Sequence, residues 1–281
     1  MNYRHAFHAG NFADVFKHAI LARILAYLMR KDAPLRYLDT HAGVGRYDLA
    51  GDEAMRTGEW RDGIARVMKA ERSPEIAALL APWLKTLGPG DEEGKPESYT
   101  GSPALAQAML RKQDRLTLCE LHPVDIEKLR LAMGRDHRMK TLAIDGYIAL
   151  NAFVPPAERR GLVFVDPPFE AVDEFDRLGK AFASAYAKWP TGVYALWHPV
   201  KDAQIVNDFY RGLAEVCDGK LLRLELAVAA PSPDGRLVAN GLAIINPPFM
   251  LAQEARVLLP WLGKVLANGP GAGVRIEQGP L

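Results

Sequence analysis

Apolar positions along the chain follow two alternating rhythms. Short runs rich in Val, Ile, Leu and aromatic residues read as strands at Leu35–Asp39, Leu116–Glu120, Thr141–Ile144, Gly161–Asp166, Val193–Trp197, Lys220–Val228 and Leu242–Asn246. Between them, apolar residues recur at spacings of three and four, which predicts helices over Ala13–Met29, Pro103–Lys112, Val124–Met133, Glu174–Lys188 and Ala203–Glu215. Strands alternating with helices imply an α/β fold, a largely parallel sheet with helices on both faces. The last two of the seven strands follow one another directly, as a hairpin-like pair would.

One interval breaks the alternation. About 60 residues separate the loop after the first strand from the next helix, far more than such a connection needs. The interval is itself helical in pattern. Glu59–Ala70 puts Ile64, Val67 and Met68 on one face, and Ser73 with Pro74 supplies a cap and first-turn proline ahead of Ile76, Leu79, Leu80 and Leu84. Gly88–Pro96 reads as a surface loop. The expectation is therefore one domain over residues 1–281 with a helical insertion at roughly 50–100, suited either to a substrate-facing lid or to a purely structural role.

Composition narrows the class without deciding it. With 281 residues, 49% hydrophobic and 25% charged, the chain can bury a large core. Its apolar runs fall short of the roughly 20 residues a membrane span needs, and no charged-then-apolar leader opens it, so a cytoplasmic protein is expected. Cys119 and Cys217 are too few for a disulfide framework or a zinc site. A net charge of +1 means that any nucleic-acid contact must come from a local patch. The opening supplies a candidate, since Arg4, Lys17, Arg23, Arg30, Lys31 and Arg36 meet only Asp14 and Asp32 before residue 37. Such a cluster is equally readable as a solvated face.

Candidate chemistry gathers at the strand ends. The first strand runs into Thr40-His41-Ala42-Gly43-Val44-Gly45, where Gly43 and Gly45 would permit a sharp turn and close approach of backbone to a ligand. Alone, this reads as readily as a bare turn. Glu120 closes the second strand, where a carboxylate can accept both ribose hydroxyls of an adenosine, and Asp145-Gly146 closes the third, where one could accept an adenine amine. Asp39 makes a third acidic strand end.

The most specific element is Val163-Phe164-Val165-Asp166-Pro167-Pro168-Phe169, an apolar strand ending in an acid, two prolines and an aromatic. An exocyclic amine on a nucleobase is not basic, because its lone pair is conjugated into the ring. Asp166 and the Pro167 carbonyl could each accept one N–H, turning the nitrogen toward a methyl donor, while the prolines fix the carbonyl's direction. Phe169 offers a face on which an extruded base can stack. A rival copy, Asn246-Pro247-Pro248-Phe249, follows the last strand. If that strand is antiparallel, its end points away from the ligand edge and the copy is a structural turn. The opening segment Tyr3–Asp14, aromatic, basic and amide-rich, reads as an arm that packs near the site, with Arg4 and Lys17 contacting phosphate. His8 and His18 lack a convincing third ligand for a metal, so none is expected.

With these residues in place, the chain resembles the bacterial methyltransferases that modify adenine N6 at position 2030 of 23S ribosomal RNA. The resemblance runs through Tyr3-Arg4-His5-Ala6-Phe7-His8-Ala9-Gly10-Asn11, Leu38-Asp39-Thr40-His41-Ala42-Gly43, Gly101-Ser102-Pro103, Glu120-Leu121-His122-Pro123, Asp166–Phe169 and Leu259-Pro260-Trp261-Leu262. It implies a seven-stranded Rossmann-like class I methyltransferase fold and S-adenosylmethionine as cofactor, contacted by His18, His41, Ser102, Glu120, Asp145, Gly146 and Asp166. It also implies Asp166 as the catalytic residue and Tyr3 near the target adenine. Family members often carry tyrosine where Phe169 stands, a change that keeps the stacking face. Independently, Ser102 ahead of Pro103 reads as a helix N-cap whose helix end could receive the cofactor's carboxylate. The expected partner is 23S ribosomal RNA, the expected state a monomer. An adenine methyltransferase acting on DNA and a non-catalytic RNA-binding assembly factor remain the alternatives. Against the second, a pure binder would not need Asp166, Phe169, Glu120 and the glycine loop together.

Overall fold

In the computed structural model, which describes residues 4–231 and 235–279, the chain enters through α1 (Phe12–Leu28) into strand β1 (Arg36–Asp39). It then leaves the alternation. Strands β2 (Arg46–Asp48) and β3 (Ser98–Thr100) pair as a small antiparallel sheet, and between them lie α2 (Asp52–Thr57), α3 (Ile64–Lys69) and α4 (Pro74–Leu87). Alternation resumes with α5 (Ser102–Met109), β4 (Arg115–Cys119), α6 (Pro123–Met133), β5 (Met139–Leu142), α7 (Gly146–Ala152), β6 (Gly161–Val165), α8 (Glu174–Lys188), β7 (Val193–Pro199) and α9 (Ala203–Val216). The chain closes with β8 (Leu221–Ala227), β9 (Ala239–Ile245), α10 (Leu251–Leu266) and β10 (Gly273–Gln278).

The main sheet has eight strands in the order β10-β8-β9-β7-β6-β1-β4-β5, one more than the seven expected. The added strand is β10, an exposed edge that pairs antiparallel with β8. Only Val274 and Ile276 give it an apolar signal, too short to stand out. Helix α10 was also missed, because Pro260 interrupts its pattern. Pro260 is exposed, and the carbonyl it cannot bond belongs to exposed Arg256, so water can satisfy it. The helix expected at Glu59–Ala70 is split into a 3-10 turn at Glu59–Arg61 and α3. Gly63 stands at the break, and a Cβ there would lie 2.0 Å from the Gly10 carbonyl oxygen.

Burial explains the layering. Along β6, Leu162 and Phe164 face one core with α1, α5 and α10, while Val163 and Val165 face the other with α8 and α9. The five strands β5, β4, β1, β6 and β7 run parallel, so their carboxyl ends open on one edge of the sheet. Strand β9 is antiparallel to both its neighbours. Asn246, just past its end, therefore lies at the opposite edge, where its amide donates to the carbonyls of Pro190 (2.9 Å) and Gly192 (2.7 Å). No helix among the described residues is long and apolar enough to cross a membrane.

Candidate active site

At the carboxyl edge, the ends of β1, β4, β6 and β7 line a cleft of about 1200 Å³. Its lining includes His18, His41, Gly43, Ser102, Glu120, Asp145, Gly146, Asp166, Pro167 and Phe169, which brings the predicted candidates from five strand or helix ends to one place. Tyr3 lies outside the described residues.

On one side the cleft is built to hold polar groups. The Gly43 and His122 N–H groups donate to the two oxygens of Glu120 at 2.9 and 2.7 Å, fixing the carboxylate with lone pairs to spare. Burial raises the pKa of Glu120 against the pull of those bonds. Gly43 has φ +61, and a Cβ there would meet the Tyr47 hydroxyl at 2.4 Å. Asp145 caps α7, one oxygen accepting from the Tyr147 and Ile148 N–H groups at 2.9 and 3.1 Å. Gly146 follows under the His41 ring. His41 and His18 are held neutral by desolvation, at about 4 and about 3, and His18 Nδ1 sits 2.7 Å from the Tyr99 hydroxyl.

Ser102 departs from its expected role. The cap of α5 is Gly101, and Ser102 is the first helical residue, its side chain beside Asp39. Asp39 is fully buried, and burial pushes it up to about 7 while the Ser102 hydroxyl and the Tyr37 hydroxyl (2.8 Å) act against that shift.

Across the cleft stands Asp166, just past β6. Lys17 Nζ lies 2.6 Å from its Oδ2 and 2.8 Å from Asp14 Oδ1. This overturns the reading of Lys17 as a phosphate contact, because it is 4% exposed on a helix with thirteen of seventeen residues buried. Nor does the basic opening form one surface. Arg4 pairs with Glu53, Arg23 with Glu254 and Arg36 with Glu158, so most of its charge is consumed by distant acids. Phe169 adopts φ +50, a strained conformation for an aromatic residue, and is held edge-on by Phe175 (4.8 Å) and Trp197 (5.8 Å).

Sequence reasoning missed the acids that seat the arm. Glu59 meets His8 Nδ1 at 2.9 Å and accepts from the Asn11 amide at 3.0 Å, and the Thr57 hydroxyl donates to the Phe7 carbonyl. Buried Asp14 meets His5 Nε2 and accepts the Gly10 N–H. Only a link between residues about 50 apart makes Glu59 meaningful, and no local pattern signals it. A pH dependence follows. The Glu59 bond raises the pKa of His8 above 6.5, so its contribution is full below that value and fades as pH rises through the raised one. Burial works to raise the pKa of Glu59, but His8 and Asn11 outweigh it and hold it below 4.5, so its contribution fades only as pH falls through that depressed value. The loss of thermal stability caused by Glu59→Gln should thus be largest between pH 4.5 and 6.5. A loss independent of pH in parallel melting curves would contradict the pairing.

Comparison with known proteins gives this geometry a context. Residues 32–277 match the family described as RsmJ, ribosomal RNA large subunit methyltransferase D, RlmJ. The chain is 40% identical over 272 residues to the ribosomal RNA large subunit methyltransferase J of Escherichia coli, covering 96% of each chain. It is 41% identical over 273 residues to the Haemophilus influenzae protein of the same name, covering 97% of this chain and 96% of that one. The crystal structure of protein LPL1258 from Legionella pneumophila superposes with a TM-score of 0.86 at 38% identity, over 97% of this chain and 98% of that one. Matches of that identity along nearly the whole length mean that the chain belongs to the RlmJ family of ribosomal RNA large subunit methyltransferases.

Proposed function

We propose that the protein transfers a methyl group from S-adenosylmethionine to the exocyclic N6 amine of an adenine in 23S ribosomal RNA. The observation that carries this is the position of Asp166-Pro167-Pro168-Phe169 at the carboxyl end of β6, in the same cleft as Glu120, Asp145 and the Gly43 turn. In this reading it works in the cytoplasm as a monomer.

The residues suit S-adenosylmethionine. Glu120 presents a fixed, buried carboxylate for a ribose diol, and Asp145 keeps its second oxygen for an amine. One oxygen of Asp39 is buried without a hydrogen-bond partner among the described residues, an acceptor beneath the same turn. The acidic walls favour a ligand carrying a sulfonium. When bound, that cofactor supplies the methyl group as an electrophile.

The chain's own residues then present the nucleophile. Lys17 occupies Asp166 Oδ2, which leaves Oδ1 to accept one N–H of the target amine. The Pro167 carbonyl accepts the other. Held between two acceptors, the nitrogen turns its lone pair out of conjugation and toward the methyl. Phe169, whose strained backbone is over-determined by Phe175 and Trp197, offers the stacking face for the extruded base. Tyr3 is assigned a place near that base by the family resemblance. Transfer of labelled methyl to 23S RNA, compared with DNA of the same sequence, tests the proposal, since the Asp166 element by itself does not distinguish the two.

A further inference from the structure

We propose that Trp197 is a positioning residue for methyl transfer: anchored by Asn240, its indole holds both groups that present the target amine, the Asp166 carboxylate through Lys17 and the ring of Phe169. The inference rests on the reading of the cleft as the methyl-transfer site.

Strand pairing sets Trp197 beside the reacting end of β6. The β6–β7 ladder pairs Val165 with Leu196, and continuing that register puts Trp197 against Asp166. The indole lines the cleft and is 9% exposed. Lys17 Nζ, 2.6 Å from Asp166 Oδ2, stands over this ring at 5.6 Å from its centroid. With Asp14 Oδ1 at 2.8 Å as its third neighbour, the ammonium is confined between two carboxylates and a π face. The same indole meets Phe169 edge-on, at 5.8 Å and 73°. One rigid ring therefore touches both the cation that directs Asp166 and the stacking platform.

What sets this tryptophan apart is its anchor. Trp60, Trp83 and Trp189 are also buried, yet their Nε1 atoms have no hydrogen-bond partner among the described residues, so no such bond fixes their direction. Trp197 Nε1 donates to Asn240 Oδ1 at 3.0 Å, and the Asn240 amide donates to the Leu226 carbonyl at 3.3 Å. Asn240 is fully buried in β9, two residues from Leu242, which lies opposite Trp197, so the two side chains share a face of the sheet. A buried amide inside a sheet is unfavourable unless both its ends are bonded. Here both are, and the indole is held in one orientation beside Lys17 and Phe169. An apolar side chain would fill the same space without constraining the ring.

The test is single-turnover methylation of RNA containing the target, with calorimetry of S-adenosylmethionine and a melting curve for each variant. Trp197→Phe should lower the rate by about tenfold or more, since a shift of about 1 Å at a reacting group suffices for that, with cofactor affinity within about twofold of wild type. Asn240→Leu, of similar shape, should lower both rate and melting temperature, because it strands the indole N–H. Combining Trp197→Phe with Asn240→Leu removes donor and acceptor together. The double variant should recover much of the melting temperature lost in Asn240→Leu yet keep the low rate of Trp197→Phe. Trp189→Phe, in the other core, is the control and should lower the melting temperature alone. A wild-type rate in Trp197→Phe, a rate that recovers with the melting temperature in the double variant, or a loss of cofactor affinity as large as the loss of rate would each overturn this inference and leave the methyl-transfer reading intact. Failure of wild type to methylate any RNA would instead overturn that reading, and this one with it.

Discussion

Asp166→Ala is expected to lower single-turnover methylation by at least about two orders of magnitude while the fold survives, the scale of a lost positioning contact at the reacting atom. The side chain stands past the end of β6 and is 15% exposed, so its removal leaves the parallel ladder intact. It does strand Lys17 against Asp14 alone, and a modest loss of stability should accompany the loss of rate. Lys17→Met probes the same arrangement from behind. It should lower turnover less than Asp166→Ala and leave KM for the cofactor near its starting value, because what it disturbs is the direction of the Asp166 carboxylate. Asn246→Ala is the contrasting variant. Its proline-proline motif lies at the other edge of the sheet, tied to Pro190 and Gly192, and differs in conformation too: Asn246 carries φ +51 at the first position, whereas in the Asp166 copy Phe169 does so at the last. Turnover within a few-fold of wild type and a lowered melting temperature are expected. Abolished transfer in Asn246→Ala beside an active Asp166→Ala would invert the assignment.

The second large effect is expected from Gly146→Val. A Cβ at Gly146 would lie 2.4 Å from the His41 ring and 2.5 Å from the Thr40 carbonyl, so the β1 turn and the start of α7 cannot keep their separation. Backbone must move, at a cost of about 1–3 kcal/mol. The displaced parts carry His41, Gly43 and Asp145, so affinity for S-adenosylmethionine should fall by about tenfold or more. Calorimetry of the folded variant reads this directly. Wild-type affinity in Gly146→Val would mean that the cofactor does not use this end of the cleft.

The fold and the site were legible to different degrees, for physical reasons. Strand ends were readable because acids do not sit in the middle of buried parallel strands: Asp39, Glu120 and Asp166 each punctuate an apolar run, whereas Asp145, expected to close a strand at Thr141–Ile144, caps α7 three residues beyond β5, which spans Met139–Leu142. Boundaries followed where both faces are buried, as at β6, and failed where burial is one-sided or interrupted, as at β10 and at α10 with its Pro260. Lys17 was misread because charge in a sequence carries no depth. Only the buried face of α1 shows that its ammonium turns inward between Asp14 and Asp166. The same limit hid Glu59, whose meaning comes from partners brought close by the fold, His8 and Asn11.

The most direct test of the account is to incubate the protein and labelled S-adenosylmethionine with 23S RNA from cells lacking the enzyme, then digest the RNA to nucleosides and identify the labelled one. The account predicts label in N6-methyladenosine, reduced at least about a hundredfold by Asp166→Ala. Label in any other nucleoside, or equal labelling by Asp166→Ala, would contradict it.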